Sequence, residues 1–123
     1  NEYIDILQNN LYFLIPANPR SPLVACTDND CVIYITFYAK VLNIRCPNGM
    51  FTCTVVCTNR EACKGDIIHG TQSNRLRIKL NERSVNSAYG VTIFAPNGND
   101  TELEIFNDFS RSAMENAIIY ANN

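Results

Sequence analysis

Only a few residues in this sequence have side chains and spacings suited to chemistry. Cys63 and His69 stand six positions apart in "EACKGDIIHG", and His69 is the only histidine of the chain. A thiol beside an imidazole suggests a nucleophile and its base. The surrounding pattern argues for packing instead, with Cys63 facing away from an inward Ala62 and His69 sharing a column with Cys46, Ala95 and Tyr120. Six cysteines, at 26, 31, 46, 53, 57 and 63, crowd into one third of the 123 residues. Their spacings never give the two-residue gap of a usual zinc site, and one histidine cannot complete such a site. Disulfides are the better reading, and they place the chain in an oxidising, extracellular compartment. A third candidate chemistry is carbohydrate cleavage by Asp66, Arg75, Arg77, Lys79, Glu82, Arg83, Glu102 and Glu104. Glycoside hydrolysis needs two carboxylates held at a set separation, and nothing in the pattern fixes such a pair. Arg77 and Lys79 alternate with Leu76, Ile78 and Leu80, as the solvent face of a strand should, and Glu102 and Glu104 are placed to pair with them as a charge ladder. The expectation is therefore no catalytic, cofactor-binding or metal-binding residues, and no enzyme activity.

Composition agrees with a folded domain made largely of strands and turns. The chain is 46% apolar and 18% charged, with 17 asparagines, a residue that tolerates left-handed backbone in turns. A net charge of −2 offers no electrostatic footprint for nucleic acid or an anionic membrane. No apolar run is long enough for a spanning helix, and no basic region followed by an apolar one marks a signal peptide at the start, so Asn1 reads as a mature or trimmed end. Asn99-Asp100-Thr101 matches the N-glycosylation sequon and lies in "APNGNDTE", a turn-forming stretch, which makes Asn99 a candidate glycan site.

Short β-branched and aromatic runs ("CVIYITFYAKVLNIRC", "FTCTVVC", "RLRIKL", "YGVTIFA", "ELEIF") separated by Asn, Gly, Pro or Ser predict an all-β chain. Aligned segments then reveal a repeat. "AKVLNIRC", "ACKGDIIH", "AYGVTIFA" and "AMENAIIY" start at Ala39, Ala62, Ala88 and Ala113, in steps of 23, 26 and 25 residues, each with an Ile five positions on. A turn and a second strand follow where the sequence extends. Such a repeat is one coil of a β-solenoid, in which stacked coils bury a core that none can bury alone. The expected architecture is a single β domain over 1–123 with four to five coils: residues 1–30 form an N-terminal cap or first coil, and 31–123 the repeats. A core ladder is expected of Ile44, Ile67, Ile93 and Ile118, with a second of Cys53, Leu76 and Leu103. The early aromatics Tyr3, Tyr12, Phe13, Tyr34, Phe37 and Tyr38 suit the cap, or alternatively a carbohydrate-stacking face. The competing fold is a disulfide-rich β-sandwich with a C-terminal helix over "FSRSAMENAIIYANN".

Six cysteines allow fifteen connectivities. Local bridges, Cys26 with Cys31, Cys46 with Cys53 and Cys57 with Cys63, are favoured because each clamps one turn or corner, with pairing between adjacent coils as the alternative. The stretch "IRCPNGMFTCTVVCTNREACKGDII", Ile44 to Ile68, resembles the cysteine-rich repeats of large extracellular proteins of protists. That resemblance implies a β-solenoid of surface or filament material, with no catalytic residues to transfer. These readings converge on a secreted structural subunit of a filament, sheath or surface appendage, self-associating head to tail through strand edges. The alternatives are a secreted carbohydrate-binding or polysaccharide-cleaving module, with glycans as partners, and a small secreted toxin or inhibitor.

Overall fold

The computed structural model describes residues 2–5, 13–14, 23–35, 41–46, 51–80, 86–107 and 113–121. Over these residues the chain is all-β, with eleven strands and no helix. The strands are β1 (Glu2–Asp5), β2 (Phe13–Leu14), β3 (Leu23–Cys26), β4 (Asp30–Ile35), β5 (Leu42–Arg45), β6 (Thr52–Cys57), β7 (Ile67–His69), β8 (Arg75–Leu80), β9 (Thr92–Phe94), β10 (Glu102–Asn107) and β11 (Ile118–Tyr120). They form a five-stranded sheet, β1-β5-β7-β9-β11, and a six-stranded sheet, β10-β8-β6-β4-β3-β2. From β4 onward consecutive strands alternate between the two sheets, and every neighbouring pair in that region is parallel. Only β2-β3 and β3-β4 are antiparallel. From β4 to β11 the chain thus contributes strands to the two sheets in turn.

Period-2 alternation decides which side chains enter the core. In the six-stranded sheet the inward rows are Cys31-Cys53-Leu76-Leu103, Ile33-Val55-Ile78-Ile105 and Ile35-Cys57-Leu80-Asn107. The first three members of each row are buried. The second ladder expected from sequence, Cys53, Leu76 and Leu103, is level in the structure. In the five-stranded sheet the inward row is Ile44-Ile68-Ile93-Ile119. This corrects the expected ladder at two rungs. Ile67 is level with Asn43 and Thr92, and Ile118 with Thr92, all on the outer face. A one-residue slip exchanges the faces of a strand, and the Ile67-Ile68 and Ile118-Ile119 doublets hide that slip from pattern reading.

The corner ahead of this sheet explains the shift. Three turns there close with amide-to-carbonyl bonds of 3.1 Å, from Asp66 to Cys63, Val91 to Ala88 and Ala117 to Met114. Their third residues, Gly65, Gly90 and Asn116, have φ of 69°, 67° and 60°, as a type II turn demands. The Ala88 amide donates to the Ala62 carbonyl (2.7 Å), and the Met114 amide to the Ser87 carbonyl (3.0 Å). By the parallel-strand pattern this makes Ala88 level with Cys63, so the small-residue column is Ala62, Ser87 and Ala113. Ala62, Ser87 and Ala88 are all fully buried. Ala39 lies outside the described residues.

The structure contains the disulfides Cys26–Cys31, Cys46–Cys53 and Cys57–Cys63. The first joins facing residues of the antiparallel β3-β4 pair. The second links the end of β5 to β6, and so ties the two sheets together. The third anchors the end of β6 to the corner segment. Residues 113–116 form a turn and 118–120 a strand, so the C-terminal helix of the competing fold is absent from the described residues.

Candidate functional site

Cys63 is bonded to Cys57, which leaves His69 no thiolate to generate. His69 is level with Arg45, Phe94 and Tyr120 rather than with Cys46 and Ala95. Its ring stacks on Phe94 at 5.2 Å between centroids, and Phe94 stacks on Tyr120 at 4.9 Å. Burial lowers the His69 pKa, and the Arg45 guanidinium lowers it further, so the ring is held neutral in an aromatic column. No cysteine is free, and no cluster of metal-ligating side chains occurs among the described residues.

The charged residues fall where alternation places them. Arg75 is level with Glu102, and Arg77 with Glu104. The Arg75 Nε meets a Glu102 carboxylate oxygen, and Arg77 Nε lies 3.2 Å from Glu104 Oε1. Two rings flank this ladder: the Arg75 guanidinium sits 5.7 Å from the Phe51 ring centroid, and that of Arg77 4.9 Å from Phe106. Half-exposed pairs of this kind contribute only a few tenths of a kcal/mol each, and the buried rows set the register. Asp66 is buried under the corner, away from this ladder. Glu82 and Arg83 lie outside the described residues, as do the side chains of Tyr3, Tyr12, Phe13, Phe37 and Tyr38. Tyr34 is exposed on β4. Asn99 sits in an exposed turn in which the Thr101 hydroxyl donates to the Gly98 carbonyl at 2.7 Å.

The feature with the clearest capacity to act is the pair of strand edges at β10 and β11. Among the described residues each has a strand neighbour on one side only. Rows that are fully buried one level below become accessible here: Ile105 is 39% exposed and Ile119 44%, whereas Ile78 and Ile93 are at 0%. Ile118, Phe106 and Tyr120 enlarge this apolar surface. Backbone N–H and C=O groups along two parallel strand edges, with apolar side chains between them, form a template for further strands. No protein-family model, curated protein or solved structure matches the chain. The candidate site therefore rests on its own geometry.

A second concavity, of about 390 Å³, lies on the corner side and is lined by Glu61, Lys64, Asn86, Tyr89 and Glu115. The Tyr89 hydroxyl accepts a 2.7 Å bond from Asn116, and Lys64 lies 3.8 Å from Glu61. Sequence reading did not find this cluster, because its members come together only when the corner segments are aligned on Gly65, Gly90 and Asn116. Sequence reading set His69 in one column with Tyr120 but put Ala95 where Phe94 stands, for the same reason.

Proposed function

We propose that the chain is a small β-solenoid and a structural subunit of an extracellular filament, sheath or surface appendage, assembling through its strand edges. The observation that carries this reading is the pair of edges at β10 and β11, which no strand among the described residues covers, with Ile105 and Ile119 accessible beside them. Continued stacking satisfies both the backbone groups and the apolar rows. Three disulfides are consistent with an extracellular protein, and no helix among the described residues is long and apolar enough to cross a membrane. The resemblance of Ile44 to Ile68 to protist cysteine-rich repeats supports the same role. In this reading Asn99 carries an N-linked glycan on the outside of the assembly. Size-exclusion chromatography with electron microscopy tests the proposal: concentration-dependent association into regular particles or fibres is expected, and a strictly monomeric 14 kDa species at every concentration refutes it.

The second reading, a secreted carbohydrate-binding module, is favoured by the polar concavity around Tyr89. An aromatic face beside Asn, Lys and carboxylate groups suits a sugar ring and its hydroxyls. Glycan-array binding that is lost in Tyr89→Ala supports it, and an empty array removes it.

A further inference from the structure

We infer that Asn97 is a site of spontaneous deamidation, where the chain slowly exchanges a neutral side chain for a carboxylate. Asparagine is one of the thermolabile residues, and its lability depends on the amide that follows it. Asn97 and Gly98 are both exposed, in a turn that runs out from the buried pair Ala95 and Pro96. The Ala95 amide donates to the Tyr120 carbonyl at 2.9 Å, and the Thr101 hydroxyl donates to the Gly98 carbonyl at 2.7 Å. Between those two ties, neither the Asn97 carboxamide nor the Gly98 amide has a partner among the described residues. Glycine has no side chain to shield its nitrogen. The Gly98 nitrogen attacks Cγ of Asn97: a C–N bond forms, the bond from Cγ to Nδ2 breaks, and ammonia leaves with the proton given up by the Gly98 amide. Water, the only co-reactant, then opens the cyclic imide at either carbonyl. The products are aspartate at position 97 and its isoaspartate isomer, in which the main chain runs through the side-chain carbon.

Other exposed asparagines are held differently. The Asn116 carboxamide donates to the Tyr89 hydroxyl at 2.7 Å, and the amide that follows, of Ala117, donates to the Met114 carbonyl at 3.1 Å. The amide after Asn74 donates to the Phe51 carbonyl at 2.8 Å, and the amide after Asn29 to the Thr27 hydroxyl at 3.2 Å. A nitrogen committed as a donor and followed by a side chain closes the ring slowly, and at Asn97 both restraints are lacking. The chain's second Asn-Gly pair, Asn48-Gly49, lies outside the described residues. The new charge enters a concavity of about 350 Å³, of which Asn97 forms one wall. The rest of its lining, Thr71, Phe94, Ala95 and residues 119–121, carries no charge. A carboxylate at position 97 is therefore the first charge in that concavity, beside the stacked rings of Phe94 and Tyr120.

The test is to age the folded protein in neutral buffer and read each asparagine by peptide mass spectrometry and isoaspartyl-methyltransferase labelling. Position 97 is expected to convert over weeks, at a rate within a few-fold of that in the reduced, guanidinium-unfolded chain, while Asn116 is retained. Fragment ions separate position 97 from Asn99. Gly98→Ala is expected to slow the conversion by more than an order of magnitude, and the turn has room for the added carbon, whose nearest contact is Thr101 Cγ2 at 3.5 Å. Retention of the Asn97 amide in the folded protein, while the unfolded chain converts, overturns the proposal by showing that the fold keeps the carboxamide from the Gly98 nitrogen. Equal conversion at Asn97 and Asn116 overturns the selectivity assigned to the hydrogen bonds. The folded and unfolded rates are compared on the unsubstituted chain, so a folding failure of Gly98→Ala leaves the site testable.

Discussion

Replacing Ile68 with Ala should destabilise the protein far more than replacing Ile67, although the two are adjacent and chemically identical. Ile68 is fully buried between Ile44 and Ile93, which are also fully buried. Truncation to Ala removes three carbons, worth about 2.4 kcal/mol at roughly 0.8 kcal/mol per buried methylene. The row above and below is tied by backbone bonds and cannot collapse into the gap, so a cavity contribution raises the loss to about 3–4 kcal/mol. Ile67 is half-buried on the outer face between Asn43 and Thr92. Its truncation loses partial burial and some strand propensity, about 1 kcal/mol. Urea titration of both variants with disulfides intact, followed by far-UV circular dichroism, measures the difference. Ile68→Ala should shift the midpoint at least twice as far as Ile67→Ala, with the slope unchanged. Equal shifts, or a larger one for Ile67→Ala, would show that the inward row passes through Ile67 and would overturn the register.

Three further outcomes follow from the same geometry. Removing any one disulfide as a Cys-to-Ser pair should cost about 2 kcal/mol, because loops closed over five to seven residues lose little more chain entropy than that; the check is the urea midpoint of Cys26→Ser/Cys31→Ser against the intact chain. Gly70→Ala should cost about 1–3 kcal/mol by overpacking, since a Cβ at Gly70 would stand 2.7 Å from Leu76 Cδ2 in the buried row; a loss smaller than that of Gly98→Ala, where the nearest atom is Thr101 Cγ2 at 3.5 Å, would contradict it. His69 has a folded-state pKa below its unfolded value of about 6.5, so its contribution to stability is complete above that value and falls as pH drops through the folded pKa; urea midpoints between pH 7.5 and 4.5 should show this loss, reduced in His69→Phe.

Much of the fold was legible because a parallel stack imposes period-2 alternation and a constant return length on the sequence. The β8 run "RLRIKL" shows its inward residues without ambiguity, and the row from Cys53 through Leu76 to Leu103 followed from it. The isoleucine row was legible only where a polar outward neighbour marks the parity, as Asn43 does for Ile44 and Thr92 for Ile93. At the Ile67-Ile68 and Ile118-Ile119 doublets, alignment on alanine selected the outer residue. The physical anchor was the left-handed turn position, since Gly65, Gly90 and Asn116 each stand three residues before the inward isoleucine. Alanine marks only where space is short, and Ser87 meets that demand equally well. The candidate site shows the same division: the alignment predicted a strand at "AIIY", but not that its outward Tyr120 stacks on Phe94.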